Sequence, residues 1–185
     1  HTYHEKSNSN IFIGQNAGNF TADSSNNVAL GASAMPSITT GYKNIAIGVR
    51  AMQDVTNGYS NVAIGYESMK DADSTVNVTN NAIGLQSMMN LKNGSCNEAL
   101  GAFALRSLHI GDDNVAIGSN CLEFLHDGTG NAVVGTWGFD SLVSGSFNVG
   151  IGDMVMRRNT SGGRNVSIGA LSGFNNISGS YNIFI

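Results

Sequence analysis

The chain has 185 residues, 41% of them hydrophobic, which is enough to bury a core, yet only 12% are charged and 24 are Gly. Ordinary globular domains carry roughly 25% charged residues, so Asn, Ser and Gly supply the polar component here, and these favour turns and amide ladders over helix interiors. The net charge of -4, with Lys and Arg placed singly, leaves no basic stripe for nucleic acid, and no stretch reaches the roughly 20 apolar residues of a membrane span.

Along the chain, a polar lead-in (1–9) is followed by a repeat that fills 10–185: Asn, three mostly apolar residues, then Gly. The Asn recurs as Asn10, Asn27, Asn44, Asn61, Asn80, Asn97, Asn114, Asn131, Asn148 and Asn165, and an eleventh copy beginning at Asn182 stops before its Gly. Successive motif glycines lie 17 residues apart except Gly65 and Gly84, which are 19 apart because two extra residues fall within 71–79. The start at His1 and the truncated last copy lead us to expect a piece of something longer.

Self-similarity at a fixed short period means stacked structural units. Ahead of the motif Gly, triplets such as Ile45-Ala46-Ile47 and Val115-Ala116-Ile117 predict a short strand. After it, apolar or small residues three, four and seven positions on, as in Ala51-Met52-Val55 and Ala104-Leu105-Leu108, predict either a short helical turn or a second bent strand. A second Gly ten residues after the first, as in Gly41, Gly58 and Gly94, marks a second corner.

One such coil cannot bury enough apolar surface to offset the entropy of ordering it, so coils must stack, at about 4.8 Å per step and on the order of 50 Å in all. The expected fold is therefore mainly β: a parallel β-solenoid or β-roll of about ten 17-residue coils. Asn27, Asn44, Asn61, Asn80, Asn97, Asn114, Asn131, Asn148 and Asn165 should form an inward or corner ladder of stacked amides. The strand's middle residue stays small through the centre of the chain and lies opposite its branched neighbours, so it should meet protein: the rest of its own coil, or identical chains around a symmetry axis.

Asn44-Ile45-Ala46-Ile47-Gly48 and Asn61-Val62-Ala63-Ile64-Gly65, followed by Ala51-Met52 and Ser68-Met69, resemble two related groups. One is the repeat region of bacteriophage tail fibres; the other is the YadA-like head of trimeric autotransporter adhesins on bacterial cell surfaces. The resemblance covers residues from about 10 to 185. It implies a homotrimeric fibre, extracellular, that attaches a virion or cell to a host receptor, with surface glycan as the expected ligand. The 17-residue period and the copies reading Asn-Ile-Phe-Ile favour the phage group.

No cofactor, metal centre or catalytic group is expected. His109 and His126 share one position of adjacent copies, where a shared metal is one reading and solvent exposure the favoured one. His1 and His4 read as a remnant of cleavage or cloning. Cys121 falls in a small-residue packing column and Cys96 beside a motif Asn, neither with an activating base. Met35, Met52, Met69, Met88 and Met156 read as core filler. The acids Glu67, Glu98, Glu123, Asp140 and Asp153 occur singly, with no pair in register of the kind a glycosidase needs. Asp112-Asp113 and Asp71-Ala72-Asp73 read as solvated loop acids before calcium ligands. Tyr66, Phe103 and Trp137, just past the motif Gly, are the candidate receptor contacts, with packing against a neighbouring chain as the alternative.

Overall fold

The computed structural model describes residues 2–4, 9–19, 23–72 and 77–185 and is an all-strand parallel β-solenoid of about ten turns. Most of the lead-in, His1 included, and Asp73 of the insertion lie outside the described residues. The strands are β1 (Thr2–His4), β2 (Ile11–Ile13), β3 (Val28–Leu30), β4 (Ile45–Ile47), β5 (Val62–Ile64), β6 (Asn77–Val78), β7 (Asn81–Ile83), β8 (Gly94–Ser95), β9 (Glu98–Leu100), β10 (Val115–Ile117), β11 (Ala132–Val134), β12 (Val149–Ile151), β13 (Val166–Ile168) and β14 (Ile183–Phe184). Strand β1 lies antiparallel to β2, and from β2 onward each motif triplet pairs in parallel, in register, with the next to build one 12-stranded sheet. A second wall, of β6, β8 and single parallel bridges such as Tyr42 to Tyr59 and Ile110 to Asp127, runs beside it. The register is fixed by the repeat, because only a 17-residue step, or 19 across the insertion, puts Asn on Asn and Gly on Gly.

The two glycine columns answer different constraints. At the motif Gly the backbone is left-handed, with φ +141° at Gly31 and +133° at Gly48, and a Cβ on Gly31 would overlap the carbonyl of Gly48 in the next coil. Gly41 has no such dihedral, but a Cβ there would strike the Gly58 carbonyl and the Ile38 side chain. Close stacking of backbone on backbone favours glycine in both columns, and the second also takes Ser24 and Asn77 in line with Gly41 and Gly94.

Among the described residues there is no helix, so the helical-turn alternative for the segment after the motif Gly is wrong. Consecutive tight turns occupy it: Ala51 N–H bonds Gly48 O and Val55 N–H bonds Met52 O, each at 3.3 Å. Between them the backbone is left-handed at non-glycine residues, for instance φ 59° at Arg50 and 52° at Met52. Each such residue costs roughly 1–3 kcal/mol of backbone strain. What offsets it is axial hydrogen bonding: Arg50 N–H reaches back to Ala32 O and Met52 N–H reaches forward to Ser68 O, both at 3.0 Å. A helical turn would spend those N–H groups within one coil and leave the stack untied.

The three-four-seven spacing is nonetheless the core spacing, since Ala51, Met52 and Val55 are fully buried, as are Met35, Met69, Met88 and Met156. The small middle residues of the strands, Ala29 to Ala116, are also fully buried, and what they meet is the interior of their own coil. Core volume is conserved reciprocally. Where the strand centre enlarges to Phe12 or Phe184, the facing turn position is Gly18 or Gly173, whose added Cβ would overlap the ring. Where the turn position enlarges to Phe139, the strand centre of the next coil is Gly150, facing that ring. Fixed total volume with swapped shapes is the substitution a close-packed interior tolerates.

The amide ladder lies inside. Asn114 is fully buried; its Nδ2 donates to Asn97 Oδ1 at 3.0 Å and Gly128 O at 2.7 Å, while its Oδ1 accepts from Asn131 N at 3.2 Å and Nδ2 at 2.9 Å. Replacing Asn114 with Leu removes these bonds and strands Gly128 O and two donors of Asn131, while Asn97 Oδ1 keeps the backbone N–H of residue 114, at about 1–3 kcal/mol for each unpaired buried group. Chemical denaturation of Asn114→Leu should show a loss above about 3 kcal/mol; a midpoint within error of the parent would contradict the ladder's role.

The column that holds Leu91, Leu108, Leu125 and Leu142 ends in Asn159, which is fully buried with neither side-chain amide atom bonded to protein. Restoring the column with Asn159→Leu should stabilise the chain by about 1–3 kcal/mol, seen as a higher melting temperature.

Candidate functional site

The turn segments after the motif Gly stack into one long face, and chemistry-bearing side chains gather there in columns set by the 17-residue step. Arg106, Glu123, Asp140 and Arg157 occupy one position of four consecutive coils. Glu123 and Asp140 are almost fully buried, and each is held by an arginine: Arg106 Nη2 lies 3.3 Å from Glu123 Oε1 and Arg157 Nε 3.3 Å from Asp140 Oδ2. The other oxygens are also used, Glu123 Oε2 by Asn120 Nδ2 at 2.6 Å and Asp140 Oδ1 by Ser141 Oγ at 3.3 Å. Burial pushes the Asp140 carboxyl above the usual carboxylate range, against the opposing pull of Arg157.

This corrects the expectation that the acids stand singly, because Glu123 and Asp140 form a pair in register on adjacent coils. The signal was in the sequence as a 17-residue separation. Each of their four oxygens has a protein partner, so they are carboxylates held in place by an arginine and a neighbouring polar side chain.

The arginines also cover aromatics. The Arg106 guanidinium lies 5.4 Å from the Phe103 ring centroid and that of Arg157 4.7 Å from Trp137. Phe103 and Trp137 are half-buried, two coils or about 10 Å apart along the axis. Tyr66 is exposed on the same face, a further two coils away and one residue closer to the motif Gly. Beside it a polar chain runs along the axis, with Arg50 Nη1 3.0 Å and Gln86 Nε2 2.7 Å from the two oxygens of Glu67. The bond from Gln86, then that from Arg50, holds the Glu67 carboxyl below its ordinary range despite burial. The three aromatics predicted as contacts thus share one face with cations and amides, a mixture suited to hydroxyl-rich ligands. Arg106 and Arg157, which complete it, were not singled out from sequence.

Other candidates fall elsewhere. Cys121 is buried, donates to Gly135 O at 2.6 Å, and has its thiol pushed up to about 11 by burial, the opposite of an activated nucleophile. Cys96 is exposed. The rings of His109 and His126 stack at 4.8 Å, and among the described residues no third His, Cys, Asp or Glu joins them in a metal-sized group. Asp112 is used structurally, accepting from Ser95 N at 2.8 Å. No helix among the described residues is long and apolar enough to cross a membrane. In comparisons with protein-family models, curated proteins and solved structures, the chain matches none.

Proposed function

We propose that this chain is a structural, host-contacting segment of a phage tail fibre, assembled as a homotrimer outside the cell and meeting surface glycan through its turn face. Its work in this reading is reach, stiffness and repeated weak contact, with no chemical turnover. The observation that carries the reading is the outer face of the long sheet. The last residue of each three-residue parallel strand of that sheet, from β2 to β13, is aliphatic and faces outward, with Leu100 48%, Ile117 38% and Ile151 48% exposed. The first residue is mostly branched too, as in Ile11 and Ile45.

A soluble monomer rarely presents so continuous an apolar surface. Three residues wide and eleven parallel strands long, the strip measures about 10 by 50 Å, or about 500 Å², a large part of the ~800 Å² per partner of a standard interface. Identical chains related by an axis along the solenoid would cover it along its full length. Three copies then repeat the turn face around the fibre, so contacts too weak to hold singly would hold together.

Solution mass tests the assembly: three times the 19.3 kDa chain is expected, and Ile117→Lys, which sets a charge in the strip, should run at chain mass with its circular dichroism unchanged. A parent at 19.3 kDa, or an Ile117→Lys chain at the parent's mass, would sink the reading. For the glycan contact, Trp137→Ala should weaken binding to host cells or a glycan array about tenfold, as loss of one stacked aromatic does; unchanged binding removes Trp137 from the contact.

A further inference from the structure

We infer that Asn81 and Glu98 form a register lock on the apolar face, fixing how copies of this chain align along the fibre axis. The inference rests on the homotrimer reading above. In the parallel strands of the long sheet the outward residue at the start of each strand is apolar except in β7 and β9, where Asn81 and Glu98 stand side by side in register. Asn81 Nδ2 donates to Glu98 Oε1 at 2.6 Å, so the two act as one polar unit spanning two coils. Glu98 is exposed, and the neighbouring outward residues Ile83 and Leu100 are 38% and 48% exposed in the midst of the strip.

A repetitive apolar face has an inherent weakness. Sliding one copy past another by a whole coil sets aliphatic residues against aliphatic residues again, with nearly the same burial, so the hydrophobic effect cannot choose among registers. Polar residues inside an apolar contact do choose, as single buried polar positions do in coiled coils. With the copies parallel and level, each Glu98 is offset by one strand spacing, about 4.8 Å along the axis, from the level of a neighbour's Asn81. There the second N–H of that amide can reach the carboxylate oxygen that Asn81 of the same chain leaves free. Slid by one coil or more, at least one Glu98 faces the aliphatic column around Val115 with its own chain's Asn81 as its one donor, and a carboxylate oxygen left without a hydrogen bond is what a dry contact tolerates least.

The test uses the full chain carrying Cys96→Ser, which removes the exposed thiol; Cys121 is buried and its thiol pushed up to about 11, so it stays silent. One batch carries Leu100→Cys and another Val134→Cys, both outward and on strands two coils apart. In register these sites are about 10 Å apart along the axis, beyond disulfide reach. After mixing, refolding and mild oxidation, Leu100→Cys should bridge to itself, with mixed disulfides below about one tenth of that yield. Asn81→Val with Glu98→Val, which restores the repeat, should raise mixed disulfides to the level of the self-bridge, while Glu98→Gln keeps the parent pattern.

The lock is overturned if the double Val variant gives the parent's ratio, if the parent already forms mixed disulfides freely, or if a parent of tripled mass forms no self-bridge. A parent of chain mass removes the homotrimer reading instead, so the two failures are told apart.

Discussion

The carboxamide of Asn114 accepts two hydrogen bonds from Asn131 and donates one to Asn97 and one to Gly128, so one side chain ties three successive coils and leaves no polar atom unused. Repeated along the chain, this bond set makes each coil's interior polar groups depend on the coils on either side. Asp could accept but not donate, and Gln would carry the amide a methylene too far, so the column admits one residue type. The same dependence explains the glycines. The axial step that brings amides to 3.0 Å also brings the carbonyl of one glycine against the next glycine of its column, where an added Cβ would overlap it.

That axial bonding also explains how so many non-glycine residues persist in left-handed conformation. Lys43, Arg50 and Met52, with φ between 52° and 59°, each send an N–H to a neighbouring coil, to Ser25, Ala32 and Ser68. Strain of this kind survives when the surroundings over-determine it. Within one coil these conformations would be unfavourable; in a stack they are what points the donors along the axis. Local propensity is overruled by a contact that exists only between copies, the energetics expected of a repeat that cannot fold alone.

The strands, the ladder and the inward positions were legible in the sequence because each leaves a mark at a fixed 17-residue offset. Asn27 and Asn44 announce the ladder, and Ala51, Met52 and Val55 announce the core. What did not show was how the backbone places those core residues. A three-four-seven spacing reports only which side chains point inward, and consecutive turns with left-handed residues satisfy it as well as a helical turn does. The choice between them rests on where Arg50 and Met52 send their N–H groups, which residue types do not encode. On the turn face, Tyr66, Phe103 and Trp137 were visible as aromatics, but the cations over two of them were not, because Arg106 and Arg157 look scattered until the columns are stacked. The pairing of Glu123 with Asp140 was readable in principle from their separation and was missed by taking acids one at a time.

In a chain built from near-identical coils, information resides in departures from the repeat, and the departures here are of two kinds. Inside, changes of volume come in compensating pairs, Phe12 with Gly18, Phe139 with Gly150 and Phe184 with Gly173, each enlargement matched by a loss where its ring would fall, while the polar departure at Asn159 stays unbonded. Such pairs leave the coil's outline unchanged and carry no signal to the outside. Outward departures need no compensating loss in the interior, as with Asn81 and Glu98 on the sheet or Trp137 beside Arg157 on the turn face. A close-packed interior forces the first kind to balance at once, whereas solvent tolerates the second kind at little cost. Uncompensated polar or aromatic departures on the outer faces are therefore the positions through which the proposed contacts beyond this chain's own coils would be made.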